Sequence, residues 1–134
     1  MFRLTRPLLY AARKPTTGIT GLKVHRDPLP ELKKTYEATL QTLSAIPQSS
    51  VYRQGAEALT LHKLKVVEKA NGNIAAVEEE LDEGQIEEVL DVAQDELSLA
   101  NKMLEWKAWE PLEEKPQPGQ WQYFGKEATA STSS

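Results

Sequence analysis

Apolar residues recur along most of the chain at steps of three and four. Leu29, Leu32, Tyr36, Leu40, Leu43 and Ile46 keep that spacing, which is one face of an α-helix. Asp27-Pro28 stands at its start as N-cap and first-turn pair, because proline gives up only an N–H that the helix would leave unbonded. Pro47 ends the run, since the residue before a proline avoids the helical region. A second helix is predicted from about Val51 to Lys69, with Ser49 and Ser50 as capping candidates. Tyr52, Ala56, Leu59, the stem of Lys63, Val66 and Val67 share its face, widened by Leu61 and Leu64. Gly55 weakens it by about 1 kcal/mol relative to alanine, and Asn71-Gly72 closes it. Asn73 caps a short turn through Leu81, and Gly84 interrupts again. The third helix is the clearest. Ile86, Val89, Leu90, Ala93, Leu97, Ala100 and Leu104 hold the rhythm between Gln85 and Trp109, roughly 36 Å at 1.5 Å per residue. Pro111 ends it.

No stretch alternates at period two, so no sheet is predicted. The expectation is an all-α fold, a three-helix antiparallel bundle over residues 27–112. A basic leader and extended arm precede it at 1–26, and an extended tail containing prolines and Trp121 follows at 113–134. The last eight residues are small and polar and read as disordered.

Charge sharpens this division. The net charge of −4 conceals a split: residues 1–26 hold six of the 16 basic residues and none of the 20 acids. To about residue 15 the leader mixes arginines with Phe2, Leu4, Leu8, Leu9 and Tyr10, the composition of a mitochondrial targeting segment. A plain basic arm has the same composition. No apolar run is long enough for a secretory signal or a membrane span. The acidic body argues against nucleic acid as a partner. With no cysteine in the chain, disulfides, thiolate-bound metals and thiol catalysis are excluded.

Chemistry-bearing patterns are scarce. His25 and His62 belong to no metal-ligand spacing, and no phosphate-binding glycine loop or nucleophile elbow is present. No catalytic, cofactor-binding or metal-binding residue is assigned, and neither a cofactor nor a small-molecule substrate is expected. Two surface features remain. Ten acids fall within residues 78–96 with no basic residue among them. Of these, Glu79, Glu83, Glu87, Asp91 and Asp95 recur every fourth residue and form one stripe on a continuous helix. Like charges so placed repel by about 0.2–0.5 kcal/mol per pair, which a helix N-terminus partly offsets. The stripe is either a solvated face or a dock for a basic partner. Trp106 and Trp109, three apart, are neighbours on one helix face, and Trp121 lies in the tail. They either seal the end of the bundle or anchor the chain in another protein, as tryptophans at interfaces do.

Several ordered segments carry a resemblance. Thr16-Thr17-Gly18-Ile19-Thr20-Gly21-Leu22 precedes the first helix. Ile46-Pro47 and Val51-Tyr52-Arg53 join the first two. Gly84-Gln85-Ile86-Glu87-Glu88-Val89 opens the third, and Glu96 to Met103 leads into Glu105-Trp106-Lys107-Ala108-Trp109-Glu110-Pro111-Leu112, followed by Gln120-Trp121. From about Thr16 to Tyr123 the chain resembles the alpha-subcomplex subunit 5 family of mitochondrial NADH:ubiquinone oxidoreductase, respiratory complex I. The resemblance implies a non-catalytic accessory subunit that supports assembly and stability of the peripheral arm. It would lie on the matrix side of the inner membrane, near the quinone end. Its partners would be core subunits, notably the 30 kDa-class iron–sulfur protein subunit. From the residues alone, a free matrix adaptor or chaperone with an acidic helical face is the alternative.

Overall fold

The computed structural model describes residues 14–120. Among them are four helices and no strand: α1 (Pro28–Ser44), α2 (Val51–Lys69), α3 (Ile74–Leu81) and α4 (Ile86–Trp106). The three long helices match the expected segments. The difference is α3, expected as a short turn and found as a helix of 8 residues. Asn73 caps it, with Oδ1 accepting from the Ala76 N–H at 3.3 Å. Its Ile74, Val77 and Leu81 line up on one side, and Val77 is fully buried. The fold is therefore all-α with four packed helices rather than three.

Two apolar clusters show how the chain runs. One joins Leu29, Leu32 and Tyr36 of α1 to Val66 and Val67 of α2, Val77 of α3, and Ile86, Val89, Leu90 and Ala93 of α4. The other joins Leu43 and Ile46 to Ala100, with Tyr52, Ala56, Met103, Leu104 and Trp109 against them. The beginnings of α1 and α4 thus meet the end of α2, and their ends meet its beginning. That is an up-down-up course, with α3 set in the return from α2 to α4. At the first cluster α3 packs against both α2 and α4. At the second, Tyr52 Oη bridges α2 to α4 by donating to Glu96 Oε1 at 2.8 Å.

The α2 face is mostly the expected one, with Tyr52, Ala56, Lys63, Leu64, Val66 and Val67 turned to the core, but it includes Thr60 and leaves out Leu59 and Leu61. Thr60, Lys63, Val66 and Val67 are buried, whereas Leu59 and Leu61 are exposed. Lys63 lies along the core by its stem and reaches Glu83 at 2.8 Å, as long cations on helices do. Capping follows the sequence at Ser50, whose Oγ accepts from the Arg53 N–H at 3.4 Å. Asp27 holds the N-cap position of α1 without a side-chain bond.

Helix α4 stops three residues earlier than its periodicity suggested. Lys107 turns left-handed at φ 50°, and its N–H returns to the Met103 carbonyl. The chain then doubles back, and Trp109 packs against the second cluster.

Candidate functional site

The acidic stripe is broken at its second member. Asp82 adopts φ 50° and ends α3, so Glu79 and Glu83 do not share a helix with Glu87, Asp91 and Asp95. Most acids of this stretch have internal duties. Glu78 Oε1 accepts from the Ile86 N–H and Glu88 Oε2 from the Gln85 N–H, both at 2.8 Å. These bonds satisfy two of the donors that a helix N-terminus leaves open. Glu80 lies 3.6 Å from Lys69, and Glu83 pairs with Lys63. Among the described residues, Glu79, Asp91 and Asp95 have no hydrogen-bonding or ion-pair partner; all three are exposed.

Glu87 behaves differently from the rest of the stripe. It is 3% exposed, and Lys14 Nζ donates to its Oε2 at 2.6 Å. The His25 N–H donates to its Oε1 at 3.3 Å. Burial pushes its pKa up, but Lys14 and the N–H groups of Glu87 and His25 outweigh that and hold it below the usual carboxylate value. Lys14 also donates to Gln85 Oε1 at 2.5 Å, and Gln85 Nε2 donates to the Thr17 carbonyl at 2.7 Å. This acid anchors the chain's own arm, so it is not part of a free docking face.

The two tryptophans are not neighbours on one helix face, as their spacing suggested. Trp106, the last residue of α4, is 63% exposed. The reversal at Lys107 turns Trp109 inward to cover the second cluster. One indole covers the bundle and the other stays exposed. Trp121 lies outside the described residues.

Several large apolar residues stay outward, among them Val51 and Leu59 on α2 and a row on α4. Val92, Leu99 and Trp106, seven residues apart, are 54%, 40% and 63% exposed. Seven residues is close to two helical turns, so the three share a side of α4. Asp91 and Asp95 lie beside them. Glu96 is on the same side and faces an open groove of about 300 Å3 against α2, lined by Val51, Tyr52, Gly55, Ala56, Leu59 and Thr60. Burial and the Glu96 carboxylate push the Tyr52 hydroxyl's pKa up, so it stays a donor across that groove. Val92 and Leu99 were missed in the sequence because their period was hidden beneath the stronger core rhythm. The seven-residue step to Trp106 was the available signal.

Among the described residues, no three His, Asp or Glu side chains converge as metal ligands do, and no helix is long and apolar enough to cross a membrane. The side chains with internal work serve packing, capping and pairing, and the unused apolar surface faces outward. Fold and surface together define a small all-α protein with an exposed apolar row on α4.

Comparison with known proteins makes this specific. Residues 21–88 match the ETC complex I subunit conserved region. NADH dehydrogenase (ubiquinone) 1 alpha subcomplex subunit 5 of Bos taurus is 46% identical over 110 residues, covering 82% of this chain and 94% of that protein. Alpha subcomplex subunit MCI4 of Candida albicans is 43% identical, over 92% of this chain and 89% of its own length. A probable mitochondrial subunit 5 from Arabidopsis thaliana is 40% identical, over 78% and 60%. The chain belongs to the alpha subcomplex subunit 5 family of complex I, whose members are non-catalytic accessory subunits of that enzyme.

Proposed function

We propose that the chain supports assembly and stability of the complex I peripheral arm from the matrix side of the inner membrane. In this reading it sits near the quinone end and docks through the outward side of α4 on the 30 kDa-class iron–sulfur protein subunit. The carrying observation is the row Val92, Leu99 and Trp106, which leaves three large apolar side chains exposed along one side of α4. Fully burying side chains of this kind is worth about 1.5–3 kcal/mol each, and tryptophan is prominent among interface anchors. Asp91 and Asp95, free of internal partners among the described residues, favour a basic rim on the neighbour.

The test places a photo-cross-linking residue at position 99 of the full chain in mitochondria. The expected adduct is with the 30 kDa-class subunit within assembled complex I. An adduct with another complex I subunit would overturn the partner but keep the face. A chain that fractionates near monomer size, beside normal complex I, would support the free adaptor instead.

A further inference from the structure

The arm before α1 is built into the folded unit. Thr17 is buried; its Oγ1 donates to the Leu22 carbonyl at 2.6 Å and accepts from the Ile19 N–H at 3.2 Å. This loop is tied to α4 at three points: Lys14 on Gln85 and Glu87, Gln85 on the Thr17 carbonyl, and the His25 N–H on Glu87. Among the described residues, Lys14 is the one cation on the Glu87 carboxylate. Without Lys14 that carboxylate, 3% exposed while Lys14 covers it, would keep its N–H donors and lose its counter-charge. Removing one partner of a buried pair is strongly destabilising, because the remaining charge is uncompensated.

The targeting-like composition runs to about residue 15, which alone would permit removal of the leader past Lys14. We infer that the mature chain retains Lys14: any proteolytic trimming of the leader stops before it, because Lys14 is the counter-ion of Glu87. The limit is set by the body of the protein as much as by the leader. A protease cutting downstream would release a chain with an unpaired buried carboxylate at the start of its longest helix. This inference is independent of where the chain docks.

Two measurements test it. The first imports the full chain, carrying a C-terminal tag, into mitochondria, and reads the N-terminus of the recovered protein by mass spectrometry. An N-terminus at Lys14 or anywhere before it supports the inference; one at Pro15 or later overturns it. The second uses full-chain variants in thermal melts at neutral pH. Lys14→Met should lower Tm by about 5 °C or more. In a Glu87→Gln background, the same substitution should lower it by less than half as much, because no buried charge needs the cation. An equal loss in both backgrounds would overturn the role given to Lys14.

Discussion

Glu87 shows how little a residue's type says about its duty. In the sequence it is one acid among ten, evenly spaced with its neighbours. In the fold it is the buried one, and its carboxylate is held in the charged form by Lys14 and two N–H groups. Its folded pKa lies below the 4.5 of the free group, so near that pH the unfolded chain binds more protons. Stability contributed by Glu87 is therefore present above about pH 4.5 and is lost as pH falls through the lower folded value. Thermal melts between pH 7 and 3 should show this decline, and Glu87→Gln should flatten part of it. A variant with the unaltered pH slope would contradict the assignment. Tyr36 offers the opposite case. Its ring belongs to the core, while its buried hydroxyl has no hydrogen-bond partner among the described residues. Tyr36→Phe removes an unsatisfied donor, and its effect should lie between zero and about 1 kcal/mol of added stability. A loss larger than that, read from denaturant melts, would show that the hydroxyl is used. Neither property was legible in the sequence, because each is set by what surrounds the side chain in the fold, and those neighbours come from distant parts of the chain.

At the scale of elements, the three long helices were legible because their apolar residues repeat where helices require. The edge of the α2 stripe was not. Lys63, Val66 and Val67 are buried as their spacing required, but packing against α1 and α3 takes in Thr60 and leaves Leu59 and Leu61 exposed. Helix α3 was hidden by its 8-residue length and its acids, and the stripe failed at Asp82, where the backbone turns left-handed. The start of α4 is the most heavily determined boundary. Gly84 precedes it at φ +92°, and a Cβ there would stand 2.5 Å from Glu88 Oε2, the atom that caps the Gln85 N–H. Gly84→Ala should therefore cost about 1–3 kcal/mol, combining the strained backbone with the displaced cap. Glu88→Ala should cost about 1 kcal/mol through the cap alone. Denaturant melts separate these values, and an alanine at 84 without effect would contradict the described turn. At the other end, Trp109→Ala should lower stability because it uncovers the second cluster. Trp106→Ala should leave the melting temperature within a degree or two, since that ring touches solvent more than protein.

For the whole molecule, the charge split separates two uses. The basic end meets the body through Lys14, and the acids are divided between capping, pairing and an exposed remainder beside the row on α4. Membership of the complex I family was legible from ordered segments spread along the chain. The exposed row on α4, proposed as the docking side, was not, because it consists of residues that the core does not need, and those show only once the core has been assigned. The proposed docking rests on that side of α4. The most direct test is to express the full chain with Val92→Glu and Leu99→Glu together and quantify its incorporation into complex I on native gels, with Glu80→Gln as the surface control. Because both side chains are exposed, the isolated double variant should melt within a few degrees of the unaltered chain. The predicted result is that this folded variant is missing from complex I, or at least tenfold depleted, while the control incorporates normally. Normal incorporation of the double variant would contradict the account.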